Sequence, residues 1–127
     1  MNTPFIITTI STNENGISVF TDVNLEVQQR GEMFLTEQIA SKNFRIRKSD
    51  VGYSTNFHLA GDPTFITILK GSLKIELHNG DFKIFKAGDC FIAQDNLKDE
   101  IIFNIKIHGH KASVFGNELL EAIHIKL

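Results

Sequence analysis

Three side chains in this sequence have the chemistry to act together: His58, Asp95 and His110. An imidazole beside a carboxylate can orient a ligand through hydrogen bonds, or move a proton near neutral pH where histidine titrates. The same three could hold a divalent cation as a two-histidine, one-carboxylate set. That is the lesser alternative, because three residues far apart in one chain are thin grounds for a metal. His108 and His110 form a His-x-His pair able to chelate from one strand face, although Gly109 between them signals a bend. His78 lies beside the Asn79-Gly80 turn and is expected in solvent. His124 alternates with Ile123 and Ile125 and is expected outward or at an interface. Asp99 and Glu100 sit in a polar turn, and Asp62 before Pro63 is a turn signature. No glycine-rich loop opens a helix, and Cys-x-x-Cys and Gly-x-Ser-x-Gly are both missing.

Short strands must carry these residues. Residues 5–10 are β-rich, 11–16 are polar, and 17–20 lead into an alternation of Val23, Leu25 and Val27 with polar partners. Residues 33–39 are ambiguous between strand and loop. Phe44 and Ile46 alternate with Arg45 and Arg47, the pattern of a half-buried strand. Residues 65–69 and 73–77 flank a Lys-Gly-Ser link, and residues 77–85 turn at Asn79-Gly80, where both central positions can take positive φ. Ala87-Gly88-Asp89 turns into residues 90–93, with Asp89 bonding the turn's backbone. Ile101, Phe103, Ile105 and Ile107 alternate strictly with their neighbours and predict another strand. Residues 112–115 and 122–127 complete the set, and 118–122 allow one helical turn. Many short strands with Gly and Asn turns indicate an antiparallel sandwich or barrel, all-β and a single domain.

Composition narrows the classes. A chain of 127 residues is one domain by length, and 42% hydrophobic with 22% charged residues is ordinary for a globular protein. A net charge of −2 argues against a nucleic-acid surface. The nearest thing to a basic patch is Arg45, Arg47 and Lys48, and a solvated edge is the expected place for it. One cysteine, Cys90, excludes an internal disulfide, suits a reducing compartment and reads as a small buried filler. There is no basic leader, residues 5–10 are too short for a signal core, and no apolar run reaches membrane length; the expected location is cytoplasmic.

The spacing between Gly52 and Gly71, and between Gly80 and Asp95, resembles the two motifs of the cupin superfamily. The first motif's slots hold Gly52, His58, Ala60, Thr64 and Gly71; the second's hold Gly80, Lys86, Gly88, Phe91 and Asp95. Residues 13–23 (NENGISVFTDV), 52–71 (GYSTNFHLAGDPTFITILKG), 75–95 (IELHNGDFKIFKAGDCFIAQD) and 109–127 (GHKASVFGNELLEAIHIKL) look like small, uncharacterised single-domain bacterial cupins. The likeness implies a double-stranded β-helix, or jelly-roll barrel, over residues 1–127, with residues 1–51 as N-terminal strands and 52–127 as motifs and closing strands. It also implies that the usual metal site is degenerate, since one histidine remains of three histidines and a glutamate. Two departures stand out. The group's basic pair is replaced by Asp62, Pro63 and Thr64, so an anion site built on that pair is not expected. Residues 96–108 are inserted before the Gly-His segment, with the capacity to lengthen a hairpin over the barrel mouth or to supply a pairing edge.

Strand parity then lines the pocket. If His58 points inward, so do Ser54, Asn56 and Ala60, followed by Thr64, Ile66 and Ile68, and by Phe91, Ala93 and Asp95. Ile66, Ile68 and Phe91 make an apolar floor under polar groups, which is the make-up of a small-molecule site. Asp95 or Asn56 would orient His58, His110 would join them, and Tyr53 would cover the mouth. A divalent metal in the standard place is not expected, because alanine and phenylalanine cannot ligate and threonine does so poorly. The function expected from these residues is binding of a small organic ligand with no cofactor. One alternative is an enzyme of isomerase or oxygenase type, using a displaced metal or metal-free acid–base chemistry. The other is a homodimeric interaction module with a filled barrel, and a homodimer is the expected assembly in any case, since jelly rolls leave strand edges to protect.

Overall fold

The structure, a computed structural model, describes residues 2–127. Eleven strands run in chain order: β1 Phe5–Thr12, β2 Ser18–Leu25, β3 Gln28–Arg30, β4 Met33–Leu35, β5 Asn43–Ser49, β6 Thr64–Lys70, β7 Ser72–Glu76, β8 Phe82–Lys86, β9 Cys90–Ala93, β10 Lys111–Val114 and β11 Leu120–Lys126. Six of them form one sheet in the order β2-β1-β9-β6-β11-β5. Three form a second, β10-β7-β8, and β3-β4 is a separate small hairpin. All pairs are antiparallel except β1 with β9.

Period-two alternation explains how the large sheets meet. Ile10, Ile66, Ile68, Phe91, Ala93, Leu120 and Ala122 point inward from the six-stranded sheet. Leu73, Ile75, Phe85 and Ala112 answer from the three-stranded one, with Leu77 just past the end of β7. Phe85 and Phe91 stack across the gap with centroids 4.2 Å apart. The result is the all-β jelly roll expected from the sequence, with no helix among the described residues. Its sheets face each other without closing: β2 and β5 are edges.

Several local expectations need correction. Residues 101–107 form no strand. Asn104 bends the chain back on itself: its side chain accepts from the Lys106 N–H, and its carbonyl accepts from Ile107 and His108. Ile101, Phe103, Ile105 and Ile107 are therefore all exposed, because alternation without a partner ladder makes no strand. Residues 118–122 make no helical turn, since Leu120 already starts β11. The Asn79-Gly80 hairpin has positive φ only at Gly80, at 93°. The turn closes through Gly80 N–H to the Leu77 carbonyl, at 3.1 Å, and Leu77 N–H to the Asp81 carbonyl, at 2.9 Å. That is a three-residue loop with glycine in the left-handed place rather than a two-residue turn. Asp89 does bond its turn, accepting from the Lys86 N–H at 2.7 Å.

The alternation in β5 is inverted. Phe44 is 69% and Ile46 65% exposed, while Arg47 turns into the molecule. β5 is held on one side only, by β11. Its inward face therefore looks onto the mouth of the space between the sheets, where a charged head still reaches water.

Candidate functional site

Between the sheets lies a cavity of about 170 Å³. Ile66, Phe91 and Ala93 from the six-stranded sheet, with Leu73, Ile75 and Ala112 from the other, form its apolar floor. Tyr53, Thr55, His58 and Thr64 reach it from the segment before β6 and from the start of β6 itself. His110 precedes β10, and Arg47, His124 and Lys126 stand on β5 and β11.

Asp95 anchors one wall. It is fully buried. Oδ1 accepts from the Ala60 N–H at 3.0 Å, while Oδ2 accepts from Ser18 Oγ at 2.6 Å and His110 Nδ1 at 2.7 Å. Three donors on one buried carboxylate compensate its desolvation. The bond to Nδ1 also fixes the imidazole, so that Nε2 is the His110 nitrogen left for the cavity. His58 is held differently. Its Nδ1 bonds the Asn56 carbonyl at 2.9 Å, and its ring stands 4.5 Å from that of His110. Reciprocal backbone bonds of 2.9 Å between His58 and His110 bring the two together. Gly109 makes the approach possible: at φ +87° a Cβ there would lie 2.5 Å from the His58 carbonyl oxygen.

On the opposite wall Arg47 donates through Nε (3.1 Å) and Nη2 (2.6 Å) to Ser49 Oγ, and its Cζ lies 4.9 Å from the Tyr53 ring centroid. Nη1 is 3.5 Å from His124 Nε2. Burial, reinforced by the positive charges of Arg47, Lys126 and Arg45, lowers the His124 pKa from 6.5 to about 4. The ring is thus neutral at physiological pH.

The expected site residues divide accordingly. Tyr53, His58, Thr64, Ile66, Phe91 and His110 line the cavity together. Asn56 does not, because residues 53–60 are held by isolated bridges at Ser54 and His58 rather than by a continuous ladder, and strand parity fails there. It is the Asn56 carbonyl, not its side chain, that orients His58. Ile68 belongs to the core outside the lining, and Asp95 lies behind His110 rather than beside His58. His108 is buried, accepting at Nδ1 from the Asn104 N–H, so it forms no chelating pair with His110. His78 is partly buried, stacked on Phe57 at 3.6 Å and bonded to the His108 carbonyl. Neither it nor His124 is the outward histidine expected. Cys90 is only partly buried, and desolvation raises its thiol pKa. Arg47 and Lys126 were legible only as charges in strands; nothing in the sequence says that this face turns inward.

The donor set does not fit the divalent metal of a cupin site. Among the described residues, no group of three or more His, Cys, Asp or Glu side chains gathers around one point. Both Asp95 oxygens are spent on hydrogen bonds, which leaves two imidazoles. His58, His110 and Asp95 are therefore neighbours in series, with the carboxylate behind one ring. Among the described residues, no helix is long and apolar enough to cross a membrane.

No family model matches this chain, and no curated protein does. Solved structures similar to it include a cupin-2 domain containing protein from Shewanella frigidimarina, at 15% identity and TM-score 0.47 over 65% of this chain and 67% of that one. A protein from Neisseria meningitidis matches at 11% identity and TM-score 0.49, over 81% of each chain. The cupin domain of Cnp3 from Schizosaccharomyces pombe matches at 12% identity and TM-score 0.43, over 100% of this chain and 86% of that one. The jelly roll itself is seen in this chain's own strand order and pairing.

Proposed function

We propose that this cupin-fold chain binds a small organic molecule between its sheets, without the metal usual at that place. The observation that carries the reading is the make-up of the cavity: an apolar floor of Ile66, Ile75 and Phe91 under fixed polar groups from His58, His110 and Thr64. A void of about 170 Å³ is close to one known to admit benzene, so the ligand has on the order of six to ten non-hydrogen atoms. His110 is pre-positioned by Asp95 and needs no rearrangement to accept at Nε2, which lowers the entropic cost of binding. A screen of small organic compounds by thermal shift tests it. Stabilisation in the native chain that disappears in Ala93→Phe, which fills the cavity, supports the reading; no stabilisation by any compound of that size overturns it.

A homodimer is supported by the outer face of the six-stranded sheet. Ile92 pairs with Phe65, Phe65 with Ile125 and Ile125 with Phe44; Ile123 and Ile46 lie opposite each other on the same face. These side chains form an apolar band ending in the exposed Phe44 and Ile46. Light scattering should report two copies, and Phe44→Glu with Ile46→Glu should reduce the mass to one. A native chain that scatters as a monomer refutes the assembly.

A further inference from the structure

We infer that the ligand is a small carboxylate with a compact apolar body, its anionic end gripped by Arg47; this rests on the cavity being a ligand site, as proposed above. The chain is net negative at −2, yet the charged side chains lining the cavity are Arg47 and Lys126, and no Asp or Glu is among them. The nearest buried acid, Asp95, is consumed by Ser18, Ala60 and His110. Arg47 and Lys126 form no ion pair with any described residue.

The guanidinium is also aimed. Its Nε–Nη2 edge is tied to Ser49 Oγ and its plane lies near the Tyr53 ring, so rotation is restricted. Nη1 and Nη2 together carry four N–H donors, and besides Ser49 their one hydrogen-bond partner among the described residues is His124 Nε2, at 3.5 Å from Nη1. Two parallel N–H donors match the two oxygens of a carboxylate. Ile66 and Phe91 would receive the apolar body.

The test compares acids with their neutral isosteres. Benzoate and isovalerate, each beside its amide, and inorganic phosphate are titrated into the native chain, Arg47→Gln and Arg47→Lys, with binding read by calorimetry and NMR shifts. The acids should bind at least about tenfold more tightly than the amides. Arg47→Gln should erase that difference, and Arg47→Lys should keep only part of it, since an ammonium lacks the fork. Amides binding as well as acids, phosphate binding as tightly as benzoate, or a preference surviving in Arg47→Gln would each overturn the inference and leave the ligand site standing. Binding by none of the five probes would overturn both.

Discussion

His110 and His124 face the same cavity from opposite walls, and they are held by opposite charges. His110 leans on the Asp95 carboxylate at 2.7 Å; His124 stands 3.5 Å from the Arg47 guanidinium. One imidazole is fastened to an anion that keeps its tautomer and accepts its proton's dipole. The other is buried and crowded by cations, and burial first, the cations second, keep it uncharged. The difference teaches that the cavity has a direction: a fixed hydrogen-bonding wall at His110 and a positively charged wall at Arg47.

The comparison breaks most severely at Asp95. Asp95→Ala leaves the Ser18 hydroxyl, the Ala60 N–H and the His110 Nδ1–H without their acceptor in a buried place. A loss of about 3–5 kcal/mol in urea unfolding is expected, with Asp95→Asn costing less because an amide oxygen still accepts. A loss below about 1 kcal/mol would mean that water reaches these donors. Gly109→Ala comes next. The added Cβ would meet the His58 backbone at 2.5–2.8 Å and impose a left-handed conformation on alanine, at about 2–4 kcal/mol by the same measurement.

The His124 side should reveal itself through pH. Its folded pKa of about 4 lies below the ordinary 6.5, so the unfolded chain binds more protons between those values. Stability is therefore whole above about pH 6.5 and falls as the pH drops through about 4. His124→Gln should flatten that fall in thermal midpoint; an unchanged profile would show that the ring titrates normally. Smallest of all, Arg47→Ala should change unliganded stability by under about 1 kcal/mol, since its hydrogen bonds go to Ser49 at a partly exposed edge. A costly Asp95 beside a cheap Arg47 would separate a wall that holds the fold from one that is free to meet the proposed ligand.

Much of the fold was legible because strands with partners announce themselves. β6, β7, β9 and β11 carry inward Ile, Leu, Phe and Ala at period two, and the turn at Gly80 falls where the sequence put it. The same signal misled at residues 101–107, whose alternation is as clean as any but has no neighbouring strand to pair with. It misled again in β5, where pattern alone cannot tell that Phe44 and Ile46 face outward. In the site, His58, Thr64, Ile66, Phe91 and His110 came from the resemblance to cupin motifs, extended by strand parity. Arg47, His124 and Lys126 escaped because they lie on strands outside the motif spacing, and their convergence is set by the pairing of β5 with β11. Asp95 was found but given the wrong partner, since its contacts span 77 residues to Ser18 and 15 to His110.

β5 is paired along one side only, so the cavity's guanidinium rides on an edge strand. Amide protons there should exchange with deuterated solvent sooner than those of β6 or β9, which are flanked on both sides. An occupant seated against Arg47 would slow that exchange first, and a label read along the outermost ladder would report occupancy even before the occupant has a name.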